Sequence, residues 1–220
     1  MTRRVSRTLA LALVLIGLIA VDAMLVIKRQ RYTEETARLR ADMTALERAR
    51  ADAILTAEAD RTGLMLELAR RQSIGDEDLH LAVSSESSFV ALDRGGVRLR
   101  TMPARLGPER RVGVPPDTLW VAVPLGMRRV ERQLAEADSA ELPAWLWVDR
   151  GQPSPPSRSG VGFLGSGAIL TSGGTVLYAL PTTGPLADSS YVMPGAVRLA
   201  PADLEAIRAN IKPGMRVYFY

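Results

Sequence analysis

All fourteen prolines of this 220-residue chain lie at or after Pro103, and only three of its eighteen glycines precede Gly95. Proline removes a backbone donor and glycine loses the most backbone entropy on folding, so a stretch without them can carry long helices, while a stretch crowded with them is cut into short pieces. The first third is therefore predicted to be helical, and the remainder to be short strands joined by turns.

Within the helical third, residues 8 to 27 (TLALALVLIGLIAVDAMLVI) form a twenty-residue run whose one strongly polar member is Asp22. At 1.5 Å per residue such a run spans about 30 Å, the hydrocarbon thickness of a bilayer. A cleaved signal peptide is the competing reading, because Arg3, Arg4 and Arg7 make a basic leader and Val21-Asp22-Ala23 offers a cleavage site. The apolar run continues past that point to Ile27 and stops at Lys28-Arg29, which favours an uncleaved anchor. Flanking charge does not orient it, since three basic residues stand on each side. A long downstream domain translocates largely regardless of flanking charge. Residues 1–7 are therefore expected inside the cytoplasm and the bulk of the chain outside it.

From residue 28 to 72 the sequence is rich in Ala, Glu, Leu and Arg, has no proline, and has Gly63 as its one glycine. This is helix composition. A seam at heptad spacing runs through Tyr32, Thr36, Leu39, Met43 and Leu46, weakens at Arg50, Ala53 and Ala57, and returns at Leu64 and Leu68. Two readings stand: a solvated spacer, or a coiled coil that pairs 32–68 with a second copy or with another single-pass protein. Arg61-Thr62-Gly63 is the expected breaking point.

Residues 73–220 carry fifteen basic and fifteen acidic side chains. A balanced domain lacks the basic stripe that neutralises phosphates, so nucleic acid is not an expected partner. The chain has no cysteine and one histidine, His80. Disulfides, thiolate metal sites and cysteine nucleophiles are excluded, any Ser-His-Asp triad would have to use His80, and neither metal nor cofactor is expected.

Strands are predicted at 79–84, 89–93, 97–102, 118–123, 144–149, 168–171, 175–179 and 215–220, with a helix between Pro201 and Pro213 on the stripe Leu204, Ile207, Ile211. Residues 127–138 read equally as strand or helix. The glycines of GVGFLGSG (160–167) do not make a phosphate loop, because no Lys-Ser/Thr follows and AILT is β-prone where a helix should begin. The prediction is a mainly-β sandwich or barrel with one C-terminal helix.

The order of elements at the C-terminal end, GGTVLYALP (173–181), MPGAVRL (193–199), a helix and a closing KPGMRVYFY, resembles the end of the L,D-transpeptidase catalytic domain. The hairpin FVALDRGGVRLRTMPARLG (89–107) is similar to that family's first strands. In this resemblance Gly195, Val197 and Arg198 fall on the family's Gly, apolar and Arg positions, while Ala196 stands where the family has its nucleophilic Cys and Pro194 where it has a His. The family's upstream His falls at Leu177 or Tyr178. A methyl group cannot attack a carbonyl, and His80 lies about 116 residues from Ala196 in the chain.

The resemblance thus implies a catalytically dead, membrane-anchored relative on the periplasmic face of a bacterial inner membrane. Tyr178, Gly195, Ala196 and Arg198 are expected to line a vestigial groove near peptidoglycan, with Arg198 pairing a stem-peptide carboxylate. Competing expectations are a structural assembly factor acting through its membrane helix and coiled coil, with other envelope proteins as partners, and an enzyme with a non-Cys nucleophile.

Overall fold

The computed structural model describes residues 24, 26, 28–35, 37–38, 43–135 and 137–220. Residues 1–23, 25 and 27, and with them nearly all of the expected anchor, lie outside the described residues, as do Thr36 and Leu39 of the expected seam. Among the described residues no helix is long and apolar enough to cross a membrane. Two compact units divide the chain after Asp60.

Met43 and Thr44 are not helical, and helix α1 (Ala45–Ile74) begins afresh behind them. A reciprocal cap explains the start: the Glu47 N–H donates to Thr44 Oγ1 at 3.3 Å, and the Thr44 N–H donates back to Glu47 Oε2 at 2.8 Å. The expected break at Arg61-Thr62-Gly63 does not occur. A mid-helix glycine costs about 1 kcal/mol, and the strong helix formers that follow it (Leu64, Met65, Leu66, Glu67, Leu68) carry the helix through. Leu64 and Leu68 are exposed, as is Leu46.

The second unit, Arg61–Tyr220, is built on a closed barrel. Its strands are β1 (His80–Ser84), β2 (Phe89–Arg94), β3 (Val97–Leu106), β6 (Gly126–Gln133), β9 (Ile169–Thr171), β10 (Val176–Ala179), β11 (Val197–Leu199) and β12 (Arg216–Phe219). Around the barrel the order is β1-β12-β6-β9-β10-β11-β3-β2. Only β1 with β12 and β10 with β11 run parallel. Two separate ribbons complete the β structure, β4 (Arg110–Val114) with β5 (Asp117–Val121) and β7 (Ser139–Glu141) with β8 (Ser159–Val161).

Alternation along β10 and β11 separates two cores. Leu177, Ala179, Val197 and Leu199 face the barrel interior, where Leu81, Val90, Met102 and Phe219 also pack. Tyr178 and Ala196 face the other way, into a second core with Leu142, Leu146, Leu164 and Leu186. Strands buried on both faces read as continuous apolar runs, which is why VLYA and FVALD are so apolar. Helix α3 (Pro201–Ile207) lies where expected, opened by Pro201 and seated by the buried Leu204 and Ile207.

The segment 144–149 corrects an expectation, since AWLWVD forms helix α2 (Ala144–Asp149) and not a strand. Pro143 precedes it with extended geometry, φ −64° and ψ 145°, and the adjacent Leu146 and Trp147 are both buried. A helical turn sends two neighbours into one core, whereas an outer strand would alternate them. The ambiguous segment 127–138 is strand over most of its length, and β4, β7 and β8 arise where no strand was predicted.

Candidate functional site

Around the turn Met193–Ala196 the chain approaches β3 very closely. The Gly107 N–H donates to the Ala196 carbonyl at 2.8 Å, and the Ala196 N–H donates to the Met193 carbonyl at 3.1 Å. Gly195 adopts φ 70°, the left-handed region that favours glycine. Pro194 and Gly195 form part of the wall of a cavity of about 790 Å³, within the size range of ligand sites. The β4–β5 hairpin supplies another wall, and β6 contributes Arg128, Glu131 and Arg132.

The four residues expected to line a groove are brought together, but only Gly195 borders the cavity. Tyr178 is fully buried beneath it and accepts a hydrogen bond from the Met193 N–H at 3.2 Å. Burial pushes the phenol of Tyr178 up from its ordinary pKa. Ala196 is buried in the second core. Arg198, opposite Tyr178 across β10–β11, is 7% exposed and is occupied by the chain itself. Its Nη1 donates to the Tyr191 carbonyl at 2.8 Å and its Nη2 to the Ser189 carbonyl at 2.7 Å.

Arg198 is thus a strut for the 189–196 segment. Arg198→Ala is expected to leave two carbonyls without a charged donor and to destabilise the domain by about 2–3 kcal/mol. Urea unfolding checks this, and an unchanged midpoint would show that the segment holds itself.

A polar clasp fastens the same segment to α2 and to the base of the hairpin. The Tyr191 hydroxyl donates to Asp149 Oδ2 at 2.5 Å, Arg110 pairs with the same carboxylate, and Arg150 lies 4.5 Å from the Tyr191 ring centre. Arg150 also reaches Asp188 at 2.7 Å. The hydroxyl and N–H of Ser190, with Arg150, lower the Asp188 carboxyl to about 2. Burial and the adjacent Asp149 carboxylate push the Tyr191 phenol up.

The one imidazole sits elsewhere. His80 Nδ1 lies 2.9 Å from the Asp78 carbonyl, an acceptor only, so Nδ1 carries a proton, and Nε2 shares a hydrogen bond with the Ser73 hydroxyl at 3.0 Å. Asp76 Oδ2 stands 3.8 Å from Nδ1. The trio has the composition of a hydrolytic triad but not its working parts. Ser73 is 3% exposed beside a recess of about 280 Å³, it lies at the C-terminal end of α1 where the helix dipole disfavours developing negative charge, and Asp76 is already bound by Arg216 and Tyr218. The group is a joint between α1 and the barrel. Among the described residues no cluster of His, Asp and Glu is arranged to hold a metal ion.

Sequence reading missed Arg128, Glu131 and Arg132; the last two are placed by a bulge in β6 between Val130 and Arg132. It placed the strand of the hairpin wall at 118–123 but missed its partner, because β4 carries no apolar alternation strong enough to announce a strand.

No family model matches the sequence, and no curated protein matches it. Among solved structures, the chain is similar to an L,D-transpeptidase from Xylanimonas cellulosilytica, with a TM-score of 0.46, 15% identity, and coverage of 66% of this chain and 61% of that one. For L,D-transpeptidase 1 of Mycobacterium tuberculosis the values are 0.42, 16%, 64% and 60%. For an L,D-transpeptidase from Mycobacterium smegmatis they are 0.44, 15%, 64% and 58%. The chain spans about three fifths of the length of these structures.

Proposed function

We propose that this chain is a non-catalytic, L,D-transpeptidase-like binding module, held at the periplasmic face of a bacterial inner membrane by residues 8–27, whose cavity takes up peptide stems of peptidoglycan. The observation that carries the reading is the state of the turn at the cavity wall. Pro194 and Gly195 keep the turn beside an open space, while Ala196, which in the resemblance falls on the nucleophile's position, offers only a buried methyl. Cysteine is absent from the chain, and the single imidazole is bound to Ser73 and lies outside the cavity lining. A protein with this arrangement can hold a peptide without cleaving or joining it. Pairing of two copies through 32–68 belongs to the same proposal, supported by the exposed Leu46, Leu64 and Leu68.

The test is sedimentation of the full detergent-solubilised chain with purified peptidoglycan, alongside an assay of cross-link formation on disaccharide tetrapeptide. Retention in the pellet without turnover is expected. Failure to sediment refutes the binding role, and turnover by the wild-type chain refutes the non-catalytic one. Protein recovered from membranes should begin at or next to Met1; an N-terminus near Met24 removes the anchor.

A further inference from the structure

We infer that the ligand of this cavity is an extended peptide with a free carboxylate, held along the open edge of β5 and anchored by Arg132. The inference rests on the reading of the cavity as the ligand site, and it replaces Arg198 with a different anion anchor.

Two features of the walls point to an extended chain. Successive side chains of a strand point to opposite faces, so a run of consecutive residues can border one cavity only through the strand's edge. Residues 119–124, which include the last three of β5, all border the cavity, and β5 pairs with β4 alone. Residues 140–143 border it in the same way, and β7 pairs with β8 alone. Two strands with a single partner each thus border the cavity, and the N–H and C=O groups of such an edge are what an added strand satisfies. Trp120 and Trp145 supply apolar contact beside them.

The charge comes from β6. Regular alternation would put Glu131 and Arg132 on opposite faces, but the bulge between Val130 and Arg132 re-aims them, and both border the cavity while Val130 stays in the core. Of the three arginines in the lining, Arg158 is paired with Glu141 at 2.8 Å and Arg128 donates through Nη1 to the Ser172 carbonyl at 3.0 Å. The Arg132 side chain has no ion pair or hydrogen bond among the described residues. An unpaired guanidinium in the lining is a fork for a carboxylate.

The experiment measures binding of the full chain, in detergent, to a fluorescent Ala-Leu-Ala-Leu-Ala peptide in three forms: free carboxylate, C-terminal amide, and free carboxylate with alternate backbone nitrogens methylated. The free acid should bind about tenfold more tightly than the amide, the size of one charge-assisted hydrogen bond. Arg132→Gln should erase that difference at an unchanged melting temperature, and Arg132→Lys should restore part of it. Methylation should weaken binding to wild type. Equal binding of acid and amide, or a preference that survives Arg132→Gln, overturns the anchor, and full binding of the methylated peptide overturns strand addition. Peptidoglycan separates the two claims. If the acid peptide binds through Arg132 but peptidoglycan does not sediment the chain, the wall-binding role fails and this inference stands. If peptidoglycan is retained while acid and amide bind alike, only this inference fails.

Discussion

Gly107→Ala is expected to lower the melting temperature of the β domain more than any other single-methyl addition outside the barrel core. A Cβ at this position would lie 1.8 Å from the Met193 carbonyl oxygen, 2.6 Å from its carbon and 2.9 Å from Pro194 Cα. All three are backbone atoms, so no side chain can rotate away, and the Met193–Ala196 turn itself must move. Overpacking of this kind costs about 3 kcal/mol or more, and the shift would also strain the hydrogen bond from the Gly107 N–H to Ala196. For a domain of this size the loss corresponds to roughly 6–12 °C. Because Pro194 and Gly195 border the cavity, peptide binding should fall in the same variant. Gly63→Ala is the control: its Cβ meets nothing within 4 Å, and a helical alanine should stabilise α1 by about 1 kcal/mol. A Gly107→Ala chain that melts with the wild type would show that β3 and the turn are not in this contact.

The second large effect is expected at Asp76, the centre of the joint between α1 and the barrel. Its side chain is 5% exposed. It accepts hydrogen bonds from Arg216 Nε and Nη2 at 2.5 Å each, from the Tyr218 hydroxyl at 2.9 Å and from the Asp78 N–H at 3.0 Å. Asp76→Ala strands these donors, and breaking a buried pair from one side costs about 3–5 kcal/mol. The lower end applies here, because Arg216 keeps Asp78 at 2.7 Å and is partly exposed.

The pH dependence follows from the same contacts. Burial pushes the Asp76 carboxyl up, but the hydrogen bonds from Arg216, Tyr218 and the Asp78 N–H outweigh it and hold the pKa below its ordinary value. A depressed folded pKa means that the stabilisation is complete above the unfolded value, about 4, and is lost as pH falls through the folded one. Tyr218 behaves in the opposite sense. Burial and the Asp76 carboxylate push its phenol up to about 12, so its contribution is complete below the unfolded value near 10 and is lost as pH rises towards 12. Urea midpoints of the wild type should therefore fall both below about pH 4 and above about pH 10. In Asp76→Ala both slopes should flatten, and identical slopes in the two chains would remove Asp76 from this role.

Proline and glycine placement alone determined where helix yields to short strands, because both residues act through their own backbone. The strands at 89–93 and 175–179 and the helix opened by Pro201 were legible for the same local reason, as was the glycine turn at 193–196. Tertiary structure decided the rest. Whether AWLWVD is strand or helix depends on a second core formed by Leu142, Leu164, Leu186 and Tyr178, which come from four separate stretches of chain. That core buries Leu146 and Trp147 together. Gly63 stays helical because propagation over neighbouring residues outweighs its own preference. Arg198 has the residue type that the resemblance expects of an anion anchor, yet the carbonyls of Ser189 and Tyr191 occupy it. Arg132 carries no sequence signal at all. Its direction is set by a bulge in the register between β6 and β9, and register is a property of two strands, which no single stretch of sequence contains.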